Sequence, residues 1–282
     1  IPVQGFLKSR NLQFNQTFNL VAPQAWIQKK GFRKMLSRLS VLIVYRTDRR
    51  TTSDEPSLYL NPFILTVNDL LLVNSNNALR YTLFVNRNNP LWSADLNYLN
   101  TQSKSLLVNG YETRQSHETT LNARVNVNRN YGVLVQVNVG DRSYFSELLK
   151  TRNYVYNFFA TEPRLQFTST NNNIGATLLG RYYRAEADTI FSQNLEAGLE
   201  LRVSKVSKGS FTGNFRLVNI DFNGDAVSPL GYELMKGLLP GKNYTWNIVY
   251  QQRLSSNIQI DISYEGRKSQ QSPVIHIGRV MA

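Results

Sequence analysis

The sequence predicts an all-β fold: an antiparallel meander that forms a transmembrane β-barrel of about 14–16 strands, or part of a larger barrel. Three observations support this prediction. Apolar and polar residues alternate along most of the 282 residues, each alternating segment runs for about 9–13 residues, and the breaks between segments are short and turn-like. We treat residues 1–282 as a single barrel domain, either complete or the C-terminal part of a longer protein.

Seven segments carry the clearest alternation. In each of them apolar residues fall at alternate positions with polar residues between them: 12–20, 92–98, 121–127, 131–139, 195–203, 244–250 and 258–264. A period of two places the two sets on opposite faces of a β-strand. Short polar breaks such as Asn88-Asn89-Pro90 and Asn128-Arg129-Asn130 predict tight turns, so that consecutive strands pair antiparallel.

Helix signals are weak and confined to three stretches, residues 24–38, 143–150 and 231–239. Their apolar spacing suits no more than a turn or two of helix, so we predict loops or single helical turns there. Strands do not alternate with long helical segments, which argues against a parallel α/β fold.

Composition excludes several classes of protein. The chain has no cysteine, which rules out disulfide frameworks, thiol nucleophiles and cysteine-ligated metals. Mean hydropathy is −0.34 and no apolar run approaches 18 residues, so transmembrane helices are excluded. An aromatic content of 11% argues against a disordered chain.

Alternating strands of this kind fit either a soluble β-sandwich or a membrane barrel. The apolar face is buried in the first and meets lipid in the second. Segment length favours the barrel, because a tilted strand needs about 9–11 residues to cross a bilayer. The 31 Asn and 15 Gln residues also favour it, since many of them lie within the strands, where a hydrated interior would accept their amides.

Aromatic residues near the segment ends provide a third argument for the barrel. Barrels in the outer membrane carry aromatic girdles where the strands leave the lipid. We predict seven such interfacial aromatics: Tyr45, Tyr98, Tyr111, Tyr131, Trp246, Tyr250 and Tyr264.

The last 55 or so residues resemble a known family. Pro240-Gly241-Lys242-Asn243-Tyr244-Thr245-Trp246-Asn247 opens a long strand, Arg253-Leu254-Ser255-Ser256-Asn257-Ile258-Gln259-Ile260 forms a tight hairpin, and Tyr264-Glu265-Gly266-Arg267-Lys268-Ser269 and Val274-Ile275-His276-Ile277-Gly278-Arg279-Val280 follow. This stretch resembles the C-terminal hairpins of large outer-membrane β-barrel proteins of Bacteroidota, some of which belong to secretion or envelope-assembly machines. Such barrels end on an aromatic residue, whereas this chain ends at Met281-Ala282.

The formal net charge of +13 is spread over the predicted strands. Scattered charge without a binding motif makes nucleic acid an improbable partner. Three explanations stay open: anionic lipid at the membrane rim, an interior field that favours anionic solutes or partners, and compensation by acidic loops or subunits outside this sequence. We predict that the charged residues on polar strand faces line the interior: Arg46, Arg124, Glu196, Glu200, Arg202, Arg216 and Arg253.

No group of residues predicts catalysis, a cofactor or a metal. His276 alternates with apolar neighbours and is expected to pack, and His117 is expected in a turn between two strands. Thr119 lies two positions after His117, the spacing that places the histidine and hydroxyl of barrel lipid hydrolases on one face, and this keeps a weak enzyme hypothesis. We expect Glu196 and Glu200 to form a salt-bridged strand face rather than an acid–base pair.

The predicted function is therefore passive. We expect a conduit in the bacterial outer membrane, or a membrane-embedded scaffold subunit of a transport, secretion or assembly complex. Its partners would be outer-membrane lipid or lipopolysaccharide and other proteins of an envelope complex. The alternative is a soluble or cell-surface β-sandwich that acts as an adhesin or interaction protein.

Overall fold

A computed structural model describes residues 8–19, 39–52, 72–108, 110–171, 173–205, 208–255, 258–270 and 272–281. These residues form thirteen strands, which follow one another along the chain: β1 Lys8–Asn19, β2 Leu39–Thr51, β3 Leu72–Val85, β4 Trp92–Leu107, β5 Gly110–Asn126, β6 Tyr131–Ser146, β7 Tyr154–Thr168, β8 Ile174–Ala187, β9 Ile190–Lys205, β10 Gly209–Phe222, β11 Gly241–Arg253, β12 Gln259–Ser269 and β13 Ile275–Met281.

The strands pair in sequence order from β1 to β13, which makes the fold an antiparallel meander. The all-β prediction is therefore confirmed, and each of the seven alternating segments overlaps a strand over most of its described residues. Strands β3 to β10 have 14–17 residues and are longer than predicted, because polar residues near the turns still belong to the ladder. Among the described residues no pairing joins β1 to β13, so closure into a barrel stays a prediction.

The chain divides into two compact units. Unit 1 comprises Ile1–Arg87, Ala94–Leu121 and Val139–Asn157, and unit 2 comprises Asn88–Ser93, Asn122–Asn138 and Phe158–Ala282.

Unit 1 has one face that changes character along its strands. Val41, Ile43 and Tyr45 share this face of β2 with Thr47 and Arg49, according to their alternation. Thr47 and Arg49 are buried, and the Thr47 hydroxyl donates to Asn77 Oδ1 at 2.6 Å. The apolar alternation thus stops at Tyr45, and a buried hydrogen-bonded polar patch continues from it.

Unit 2 has an apolar face that remains exposed. Its strands present a row of large apolar side chains, which we call the apolar belt: Leu165, Leu178, Leu195, Val203, Phe215, Leu217, Tyr244, Tyr250, Ile262 and Tyr264. Leu178 and Leu195 are 56% and 51% exposed, whereas Glu162 on the opposite face is only 8% exposed. The polar face of unit 2 is therefore better covered than its apolar face.

The connection from β10 to β11 folds back onto this polar face. It contains helix α1 (Pro229–Leu234), which begins after the N-cap Ser228, whose hydroxyl accepts from Gly231 N at 2.9 Å. Met235 at its end packs against Val218 and Ile220 of β10 in a small buried core. The helical turn predicted within 231–239 is thus present but begins two residues earlier.

The other helix predictions had different outcomes. Strand β6 extends to Ser146, so the prediction of a loop or helical turn at 143–150 is wrong for its first four residues; residues 147–149 form a loop, and a 3₁₀ turn lies at Lys150–Arg152. Residues 24–38 lie outside the described residues. In the described part of the chain, no helix has the length and apolar character needed to cross a membrane.

Asparagine side chains close the hairpin turns of unit 2. Asn128 Oδ1 accepts from the backbone N–H groups of Asn130 and Tyr131, both at 2.8 Å. The Asn130 amide donates to the carbonyl of Thr168 at 2.7 Å and joins two neighbouring connections. Some of the many asparagine side chains therefore form hydrogen bonds with backbone groups that have no strand partner in the turns.

Candidate functional site on the polar face of unit 2

The polar face of unit 2 carries a row of ion pairs across four strands. We call this row the ion ladder: Glu162 and Arg164 on β7, Arg181 on β8, Glu196 and Glu200 on β9, and Arg216 on β10. Three arginines face three glutamates, so the ladder itself is electrically balanced.

Arg216 forms the best-defined node of the ladder. Its Nη1 lies 2.7 Å from Glu196 Oε1, and its Nη2 lies 3.0 Å from Glu200 Oε1. The register pairs Arg216 with Gly198, which lies midway between the two glutamates on β9. This central register position lets the guanidinium donate to both carboxylates. The planar fork of arginine suits this double contact.

Glu162 forms the second node. It contacts Arg164 two positions along the same strand, and its Oε2 lies 3.7 Å from Arg181 Nε on the neighbouring strand. Arg181 in turn is the register partner of Glu196, which connects the two nodes. Sequence reasoning missed all three residues of β7 and β8, although Glu162 and Arg164 alternate with Thr161 and Pro163 as polar-face residues do.

The seven predicted interior residues all lie on polar-face positions of their strands, but only three meet. Glu196, Glu200 and Arg216 belong to the ladder. Arg202 is exposed on the same face of β9 and forms no ion pair with the described residues. The other three lie elsewhere: Arg46 on β2 opposite Gln13 and Ala78, Arg124 with its Nη2 3.4 Å from the Asn89 carbonyl, and Arg253 at the end of β11.

The β10–β11 connection covers the polar face beside the ladder. Lys236 Nζ lies 4.0 Å from the ring centroid of Tyr183, which is buried on β8. Phe158 stacks against the same ring with centroids 6.2 Å apart. The polar face of unit 2 therefore has two parts. Charged side chains form the ion ladder, and aromatic side chains lie where the β10–β11 connection packs on the face.

The seven predicted interfacial aromatics fall into two groups. Tyr111 is buried, and its hydroxyl donates to the Leu72 carbonyl at 2.6 Å. The other six are half-buried or exposed: Tyr45, Tyr98, Tyr131, Trp246, Tyr250 and Tyr264.

The two histidines lie in strands. His117 was expected in a turn, but it lies within β5, and its Nδ1 is 2.9 Å from Asp141 Oδ2 on β6. Nucleophilic catalysis would require a hydroxyl bonded to this histidine, and among the described residues Thr119 makes no such bond. His276 is exposed on β13, and its ring stacks on Tyr264 with centroids 5.9 Å apart. No three or more acidic or histidine residues of the described ranges are grouped as metal ligands.

No known protein-family model matches the chain, and no curated protein is significantly similar to it.

Proposed function

We propose that the chain forms a transmembrane β-barrel of the bacterial outer membrane, or a sector of a larger one, and that its work is passive. It would serve as a conduit or as a membrane-embedded scaffold of a transport, secretion or assembly complex. The C-terminal resemblance to large Bacteroidota barrels supports the same proposal.

The inverted burial of unit 2 carries the proposal. A folded chain in water covers its large apolar side chains and exposes its charges. In unit 2 the apolar belt is exposed, whereas the ladder glutamates are mostly covered. Contiguous exposed apolar surface marks a contact with lipid or with another protein.

The dimensions of the apolar belt agree with a lipid contact. On β9 the belt runs from Leu195 to Val203, which spans about 26 Å along the strand. A strand tilted by about 35–45° would cover about 20 Å of bilayer with this stretch, most of the ~25 Å apolar band of outer-membrane barrels.

The soluble β-sandwich remains the alternative function class. A sandwich packs the apolar faces of two sheets against each other at a spacing of about 10 Å. The exposed side chains of the belt have no such second layer among the described residues, which favours the membrane proposal.

The direct test is the behaviour of the purified chain in detergent and in plain buffer. We expect it to need detergent or vesicles to stay monodisperse, and to migrate differently on gels with and without boiling. A chain that is monodisperse in buffer and migrates identically in both samples contradicts the membrane proposal.

Conduit and scaffold can then be separated by conductance across planar bilayers. An open conduit gives unitary current steps in the absence of other proteins, whereas a scaffold gives none and is recovered with envelope proteins after cross-linking. The balanced ion ladder predicts only weak ion selectivity for that part of a conduit.

A further inference from the structure

The apolar belt contains a depression of about 670 Å³ across β8 to β12. Two adjacent rows of register partners form it. One row contains Leu178, Leu199, Phe215 and Trp246, and the next contains Ala197, Leu217, Tyr244 and Lys268. Ala197 contributes only a methyl group between larger neighbours, which leaves space for an elongated apolar group.

Trp246 is fixed as one wall of this groove. Its register partner on β12 is Gly266, and a Cβ at that position would overlap the indole ring. The ring therefore lies across the glycine, as aromatic side chains do over strand glycines. The position of the Trp246 ring therefore depends on Gly266, which has no side chain.

One end of the groove is cationic. Lys268 lines it, and Lys242 is one row further on the same face of β11, opposite Asn219. Both lysines are exposed, and neither forms an ion pair with a described residue. An apolar slot with unpaired cations at one end matches the chemistry of an acyl chain attached to a phosphate.

We propose that this groove binds one anionic phospholipid. An acyl chain lies between Leu178, Phe215 and Trp246, and the phosphate lies beside Lys268 and Lys242. The proposal rests on the membrane location proposed above and extends it from general lipid contact to one site with a headgroup preference. Two cations near a membrane surface each favour an anionic lipid about fivefold.

Trp246 provides the reporter for the test. The variant Trp26→Phe/Trp92→Phe retains Trp246 as its only tryptophan. It is folded into vesicles of equal parts phosphatidylglycerol and phosphatidylcholine, with brominated acyl chains on one lipid or the other. We expect brominated phosphatidylglycerol to quench Trp246 more strongly, with a preference that falls about fivefold in Lys268→Gln. Lys205→Gln is the matched control, because it removes a charge from the same face of β9 at the opposite end of the belt.

Equal quenching by the two brominated lipids in a folded, vesicle-inserted chain overturns the lipid site and leaves the membrane proposal intact. A chain that inserts into no vesicle, as judged by its gel mobility, overturns both. Should the tryptophan variant fail to fold, native mass spectrometry of the full chain decides the question. Retention of phosphatidylglycerol must then fall in Lys268→Gln and persist in Lys205→Gln; equal retention in both variants overturns the site.

Discussion

At the scale of single residues, the contact of Arg216 with two glutamates depends on its register position between them. Glu196 and Glu200 are four residues apart on one strand, so their side chains lie on the same face with one position between them. Arg216 on β10 is the register partner of Gly198 between them and reaches both carboxylates, while the space next to Gly198 is filled by Leu179 of β8. The two carboxylates would otherwise repel each other without a shared cation.

Removing the shared cation should weaken folding. We expect Arg216→Gln to lower the free energy of unfolding by about 1–3 kcal/mol, because two partly covered carboxylates lose their charged donors. Arg202→Gln, on the same face but without an ion pair, should change it by less than about 0.5 kcal/mol. Urea titration of both variants in one detergent makes the comparison, and equal losses would contradict the role of the fork.

A methyl group at position 198 should be costly for a steric reason. A Cβ there would lie 2.9 Å from Leu179 Cγ, and Leu179 is buried on the neighbouring strand. We expect Gly198→Ala to destabilise the protein by about 1–3 kcal/mol. Gly278→Ala is the control, since a Cβ at 278 meets no atom within 4 Å. Thermal unfolding should separate the two variants, and a neutral Gly198→Ala would refute the steric argument.

At the scale of whole elements, the connection 223–240 is the largest departure from a plain hairpin in unit 2. A turn of a few residues would join β10 to β11, yet this segment forms α1 and packs on the polar face through Met235. Helix α1 is too short to be stable alone, so its packing depends on Val218 and Ile220. The segment covers part of the face that would line a conduit.

A charge at Met235 should release this segment. Met235 is 1% exposed, so Met235→Asp would bury a carboxylate without a partner and expel the connection from the polar face. If the chain conducts, the unitary current should rise; Val227→Asp, at an exposed position of the same connection, should leave it unchanged. Identical currents in the two variants would show that the segment does not restrict a pathway.

At the scale of the whole molecule, the inverted burial of unit 2 gives opposite expectations in lipid and in water. Leu178 lies in the middle row of the belt and is exposed, while Thr177 next to it belongs to the polar face beside Glu200. We expect Leu178→Arg to cost about 2–4 kcal/mol in vesicles, as for a cation at the bilayer midplane. Thr177→Arg should be tolerated because it can pair with Glu200.

The same two variants discriminate the soluble alternative. On a water-exposed strand, Leu178→Arg would change the free energy of unfolding by less than about 0.5 kcal/mol and would improve solubility. Folding yields in vesicles and in buffer, measured for both variants, therefore decide between the two classes of function. A tolerated Leu178→Arg in vesicles would contradict the membrane proposal.

Prediction from the sequence failed where both faces of a strand are polar. Around His117 the residues at odd positions are as polar as those at even positions, so this part of β5 lacks the alternation that identifies a strand, unlike its end at 121–126. The sequence therefore predicts a turn at His117. In the structure His117 lies in β5, which is hydrogen-bonded to β4 and β6. The polar patch of Thr47 and Asn77 was missed for the same reason.

The sequence by itself determined the strand class, the meander order and the polar-face positions of the seven charged residues. These follow from local periodicity and short turns, which need no knowledge of distant contacts. Only the tertiary structure decided which charges meet, that Arg216 lies between Glu196 and Glu200, that α1 lies on the polar face, and that Gly266 fixes Trp246 beside the groove. The physical reason is strand register, because a shift of one residue between neighbouring strands leaves each periodicity unchanged but exchanges every cross-strand partner.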